Sequence, residues 1–216
     1  MSTVVLACQT ISDEMNLAMK LTGAQYPVCW VESGLHNSPQ KLKARIQEEI
    51  NKIDCASTIL LAFGYCGLAL SGIKSNYARL ILPKVDDCIS LLLGSNKLRI
   101  DISREKPTYF FTRGWIDCER SLLGEYEHCV QKYGQKRGTK IMQTLFKEYK
   151  CMAVIDTGAY NPADCIEKTR DLAASFGLEH TLIKGSLYLF EKLLLGPWDE
   201  DFVIAEPHEE ISLDYI

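Results

Sequence analysis

A chain of 216 residues with 47% hydrophobic content has room for one large α/β domain or two small lobes, and its formal charge of −4 offers no basic field to nucleic acid. The one basic cluster, Lys132, Lys136, Arg137 and Lys140, lies in a segment interrupted by Gly134 and Gly138, which reads as a solvated helix junction. No run is apolar and long enough to cross a bilayer, and MSTVVLACQT carries no basic leader before a long apolar stretch, so a cytoplasmic protein is expected.

Strand-like and helix-like segments alternate from the start. VVLAC (Val4 to Cys8) predicts a buried strand, followed by a helix begun at Ser12 with Asp13 and Glu14 in its first turn and stopped near Gly23. PVCWVES predicts a second strand. Ser38 and Pro39 then open a helix whose Leu42, Ile46, Ile50 and Ile53 repeat at helical spacing to make one apolar face. STILLAF is a third strand and leads into GYCG; ARLILP is a fourth, after which Asp86 or Asp87 can cap the helix CISLLLG.

The second half has the same rhythm. TYFF runs into TRGW, and a mostly helical stretch from Asp117 to Tyr149 is expected to break at Gly134 and Gly138. MAVI ends in DTGAY, Asn161 and Pro162 open a helix that closes at Gly177, and HTLI leads to KGS, the helix LYLFEKLLLG and the strand FVIAEP before the acidic tail HEEISLDYI. Strands alternating with helices predict an α/β fold of parallel sheets with flanking helices, arranged as two pseudo-symmetric Rossmann-like lobes around a cleft, one spanning residues 1–107 and one 108–216. Ligand-binding loops then belong at the carboxyl ends of the strands.

Nine cysteines are many for a chain in a reducing compartment, and no CxxC is present. Position sorts them. Cys8 ends the first strand, Cys66 follows the third between two glycines, and Cys88 follows the fourth at a helix amino terminus, where the thiolate is expected to be favoured. These three fall on one rim. Cys29, Cys55, Cys118, Cys129, Cys151 and Cys165 read as small buried side chains within strands or on helix faces.

ACQT, FGYCG followed by SGI, DDCISLLLGS, FTRGW, VIDTGAY and KGSLYLFEKLLLGPWDEDFVIAEP occur in this order, and together they give a chain that resembles the family catalogued as domain of unknown function sixteen-thirty-eight. The resemblance extends over nearly the whole chain. It implies anaerobic one-carbon metabolism, because members in methanogens and anaerobic bacteria accompany corrinoid-dependent methyltransferase systems, and it carries over to Cys8, Cys66 and Cys88. A histidine is common in the family two positions before the third cysteine; here that position is Asp86.

Three thiolates from three strand ends can hold a 4Fe–4S cluster with one iron left open, the favoured cofactor, or a zinc ion with an open position, the alternative. The opposite rim offers groups for a small anion: Arg113 in TRGW, the turn Asp156, Thr157 and Gly158, and Lys184, Gly185 and Ser186 before a helix. Trp198 is expected to pack the core. GxGxxG, a P-loop and HExxH are all absent, which argues against dinucleotide hydride transfer, P-loop nucleotide hydrolysis and zincin proteolysis. The expected function is a metal-dependent enzyme of lyase, desulfurase or methyl-transfer type acting on a small anionic or sulfur-containing molecule in one-carbon or sulfur metabolism. The contrasting expectation is a non-catalytic accessory protein that handles a metal or a corrinoid or methyltransferase partner.

Overall fold

The computed structural model describes residues 2–35, 38–118 and 121–212. In chain order the first stretch forms β1 (Thr3–Cys8), α1 (Ser12–Thr22), β2 (Val28–Val31), α2 (Pro39–Lys52), β3 (Thr58–Ala62), β4 (Arg79–Pro83) and α3 (Cys88–Leu93). It continues through α4 (Asn96–Glu105), β5 (Thr108–Phe111), α5 (Arg113–Ile116), α6 (Leu122–Tyr133), α7 (Gln135–Leu145), β6 (Cys151–Asp156), α8 (Pro162–Phe176) and β7 (Glu179–Lys184), and closes with α9 (Tyr188–Leu195) and β8 (Phe202–Ala205). Among the described residues no helix is long and apolar enough to cross a membrane.

The chain folds as two compact units, Met1–Asn96 with Ser186–Ile216, and Lys97–Gly185. The alternation of elements places a division at residue 107, whereas the chain leaves the first unit at Asn96 and returns to it at Ser186. The return has a physical cause. Four of the eight residues of α9, Leu189, Phe190, Leu193 and Leu194, are buried, and the helix packs on α1, β3 and β4. Strand β8 then extends the first sheet beside β4.

That first sheet has the order β2-β1-β3-β4-β8. The first four strands are parallel and fully or largely apolar, as strands covered on both faces must be. FVIA of β8 runs antiparallel to β4, pairing Leu80 with Ala205 and Pro83 with Phe202. An apolar run of this length does not encode its direction, so the all-parallel expectation fails at this strand. Pro39 at the first helical position and the buried Leu42, Ile46 and Ile50 make α2 as expected, and Gly23 ends α1 in a left-handed conformation. The tail is packed: Gly72 and Ile211 bond main chain to main chain, and Lys74 pairs with Glu210, while residues 213–216 lie outside the described residues.

The second unit holds a three-stranded sheet, order β5-β6-β7, parallel throughout. Helix α8 packs on β6 and β7, and its buried face joins Phe111, Met152, Val154, Phe146 and Met142 in one core. Rings of Tyr109, Phe111, Phe146 and Tyr149 meet edge to face or tilted at 5.0 to 5.7 Å, and burial pushes the Tyr109 hydroxyl up to about 12. Helix α4 escapes the sequence reading because Leu98, Ile100 and Ile102 alternate as in a strand, and none of its residues is buried.

The helical stretch breaks at Gly134, whose φ of +78° joins α6 to α7. Gly138 does not break it. It lies inside α7, where a Cβ would stand 2.9 Å from the Val130 backbone, so the missing side chain lets the two helices pack closely. Residues 119 and 120 of the expected stretch lie outside the described residues.

Gly138→Ala should therefore lower the free energy of unfolding by about 1–3 kcal/mol in urea denaturation, although alanine is the better helix former by about 1 kcal/mol. A variant as stable as the parent would refute the close packing. A second test is acid stability. Burial, with Arg170 adding to it, holds the His180 imidazole below its ordinary value of 6.5, beside the Thr169 hydroxyl at 2.8 Å. The unfolded chain then takes up this proton first, so stability is full above pH 6.5 and falls as pH drops through the folded value. Thermal melts should show this fall, and His180→Gln should flatten it.

Candidate functional site

The order β2-β1-β3 means that the chain steps from β1 to one side and then to the other, and the crevice above the carboxyl ends of β1 and β3 is where open parallel sheets bind ligands. Cys8 is the last residue of β1. Cys66 lies four residues beyond β3, and Cys88 opens α3 after β4, so three neighbouring parallel strands each deliver one cysteine to the same edge.

The backbone beyond β3 explains the glycine before Cys66. Residues 64–66 run alongside residues 85–87, with Tyr65 N–H donating to the Val85 carbonyl and Cys66 N–H to that of Asp86, both at 2.9 Å. Gly64 presses against Asp87, and a Cβ there would lie 2.5 Å from the Asp87 Cα and carbonyl carbon. Only glycine permits that approach. Past it the chain turns through three consecutive left-handed residues, Cys66 at φ +47°, Gly67 at +66° and Leu68 at +71°. The two non-glycine residues cost on the order of 1–3 kcal/mol each, which makes a cysteine at this point expensive for the fold. Asp87, extended at the head of α3, accepts a hydrogen bond from Ser90 N–H at 2.9 Å and so sets Cys88 in the first helical turn.

The sulfurs come together. Cys66 Sγ and Cys88 Sγ are 3.7 Å apart, and Cys88 also shares a hydrogen bond with the Cys8 thiol. Cys8 Sγ is in turn 3.0 Å from Thr10 Oγ1. Cys8 and Cys88 are buried, whereas Cys66 is partly open to solvent. The Cys88 thiol is held well above its ordinary range, first by its hydrogen bond with Cys66 and then by burial, against opposing contributions from Cys8 and the Gly64 backbone. The hydrogen bond with Cys66 and burial thus oppose the favouring of the thiolate expected from the helix terminus. Among the described residues no group of three or more His, Cys, Asp and Glu side chains already stands in a metal-holding arrangement. Cys66 and Cys88 are preset as a pair, and Cys8 is engaged by Thr10.

Of the remaining cysteines, Cys29, Cys129, Cys151 and Cys165 lie in strands or helices, and burial pushes up the thiols of Cys29 and Cys151 and raises that of Cys165 to about 11. Cys55 departs from the expectation, being exposed in the loop before β3. Cys118 lies in the turn after α5, half-buried, with its thiol on the Trp115 carbonyl. Two residues near the cysteine edge carry no motif of their own: Thr10, visible only as part of ACQT, and Glu14 of α1, a carboxylate 1% exposed.

The polar residues expected to hold an anion sort differently. In the second unit Asp156, Thr157, Gly158, Lys184 and Gly185, with Leu182, line a concavity of about 390 Å³ at the carboxyl ends of β6 and β7. Asp156 and Lys184 face each other in register, but Asp156 also forms the turn, accepting from Gly158 N–H at 3.0 Å. Arg113 does not line this concavity; it begins α5 and lies over the Tyr160 ring at 5.8 Å. Ser186 belongs to the first unit, where its N–H donates to the Leu92 carbonyl and its hydroxyl accepts from Tyr188 N–H at the start of α9. Trp198 is half-buried and donates its indole N–H to the Leu193 carbonyl.

The first unit is thus an α/β domain with a mostly parallel sheet and a cluster of reduced cysteines at its topological switch point. The chain belongs to the family described as Protein of unknown function (DUF1638), whose model matches residues 30–194. Cys66 and Cys88 lie within the match and Cys8 precedes it. No curated protein and no solved structure matches the chain.

Gly64→Ala should cost about 3 kcal/mol or more, since backbone and not a flexible side chain occupies the space for its Cβ. Gly23→Ala, at φ +73° with nothing within 4 Å, should cost only about 1 kcal/mol. Equal losses in chemical denaturation would show that the Gly64 approach is not the constraint.

Proposed function

We propose that the chain is a metal-dependent enzyme whose metal centre is held by Cys8, Cys66 and Cys88 and whose substrate is a small anionic or sulfur-containing molecule. The observation that carries this reading is the meeting of Cys88 with both other thiols, from three separate strand ends, at the crevice where such sheets bind ligands. The donor set suits a soft or borderline ion. The Cys66–Cys88 separation of 3.7 Å is close to the roughly 3.8 Å between two sulfurs on one tetrahedral zinc at about 2.3 Å, and smaller than a cubane requires. That spacing favours a single ion, with the cluster as the reading that metal analysis must test. A left-handed cysteine where glycine or asparagine would be less strained also supports a role for the sulfur itself.

Each residue has a task in this reading. Cys66 and Cys88 form the preset pair, and Cys8 completes the set by turning from Thr10. The Asp87 cap and the two backbone bonds from residues 65 and 66 hold the pair in place without using the sulfurs. A bound metal would supply an open Lewis-acid position and displace the thiol protons. For the second unit we assign anion holding to Lys184, which stands exposed in its concavity. We propose one-carbon or sulfur metabolism as its setting, as the family resemblance implies.

The test is anaerobic purification with metal and acid-labile sulfide analysis. Zinc or iron without sulfide is expected; iron with sulfide would mean the cluster, and no metal after reconstitution would overturn the reading. Cys8→Ser, Cys66→Ser and Cys88→Ser should each lose most of the metal, while Cys129→Ser keeps it. Cys66→Asn should bind little metal yet unfold no more easily than the parent, because asparagine tolerates the left-handed backbone. Turnover of small thiols or carboxylates without any corrinoid protein separates an enzyme from an accessory protein.

A further inference from the structure

We propose that, in the metal-free chain, Cys66 and Cys88 form a reversible disulfide that closes the cysteine site. The inference stands on the geometry of the free thiols and does not require the metal centre. Their sulfurs, at 3.7 Å, are already in contact, whereas the bond needs about 2.05 Å, a closure that small changes in side-chain torsion can supply. The segments that carry them are fixed side by side by the bonds from Tyr65 to Val85 and from Cys66 to Asp86, and by the Gly64–Asp87 approach. Approach by a reagent is one-sided. Cys66 is partly exposed, Cys88 is 2% exposed, and Cys8 is fully buried.

That asymmetry sets the order of events. A small-molecule disulfide meets Cys66, whose sulfur takes one half of it and releases the other half as a thiol that carries the Cys66 proton. Cys88 then attacks the Cys66 sulfur, its own proton leaving with the second thiol. Two protein thiols are oxidised, one external disulfide is reduced to two thiols, and no other reagent is needed. The closed chain offers a soft ion one thiol, Cys8, where the reduced chain offers three, so a dithiol reductant reopens the site.

The experiment treats the reduced, chelator-stripped full chain with oxidised glutathione, blocks free thiols, and maps unreduced tryptic peptides. Cys66 lies in the peptide 53–74 and Cys88 in 85–97; Cys55 shares the first, so Cys55→Ser is run beside the parent. The expected result is that 53–74 and 85–97 become linked in the parent, in Cys55→Ser and in Cys8→Ser, with two fewer free thiols per chain and full reversal by dithiothreitol. Cys66→Ser should leave Cys88 reduced. Glutathione remaining on Cys66, a link from Cys8 to Cys88, or no oxidation of Cys66 would each overturn the proposal. Metal uptake by the reduced chain is measured separately, so failure of the disulfide and failure of the metal reading are distinct results.

Discussion

The approach of Gly64 to the backbone of Asp87 is the constraint on which the cysteine edge depends. The absent Cβ brings the segment after β3 within main-chain hydrogen-bonding distance of the segment after β4, and the bonds from Tyr65 and Cys66 then set the register of the two loops. With that register in place, Cys66 meets Cys88 across the gap, and Asp87 is positioned to cap the helix that carries Cys88. Neighbouring parallel strands lie about 4.8 Å apart, which is why one cysteine from each of three adjacent strand ends suffices to build the cluster.

The cluster is held against local preference. A left-handed backbone at Cys66 opposes folding, and the neighbouring Cys66 thiol together with burial pushes the Cys88 thiol above its ordinary range. Sites retained under such strain are commonly functional, and the surrounding apolar sheet supplies the stability that offsets them. Buried cysteines elsewhere, such as Cys151 and Cys165, show no comparable arrangement. Their thiols are raised by desolvation first, and they serve as small apolar side chains.

The returning segment of α9 and β8 gives the first unit its closure. It adds an antiparallel strand to β4 and seats an apolar helix on β3 and β4, so the sheet that carries the cysteines is completed by residues from beyond the second unit. Ser186 marks the return, bonded to the end of α3 through Leu92 and accepting from Tyr188 N–H at the start of α9. Its role in the first unit follows from packing. The polar turn at Asp156 in the second unit is likewise shaped by its own side chain, which accepts from Gly158 N–H.

Much of this was legible in the residues themselves. Apolar runs bounded by glycine and proline marked the strands, Pro39 and Pro162 marked two helix starts, and the positions of Cys8, Cys66 and Cys88 relative to strand ends placed them on one edge, because local propensity and the order of elements along the chain are short-range properties. Helix α4 was hidden, since its apolar residues alternate and none is buried. The antiparallel direction of β8, the packing role of Gly138, the division at Asn96 and Ser186 and the raised Cys88 thiol were decided by tertiary structure alone. Each depends on which distant segment lies alongside, and burial and close approach between such segments leave no periodic trace in the sequence.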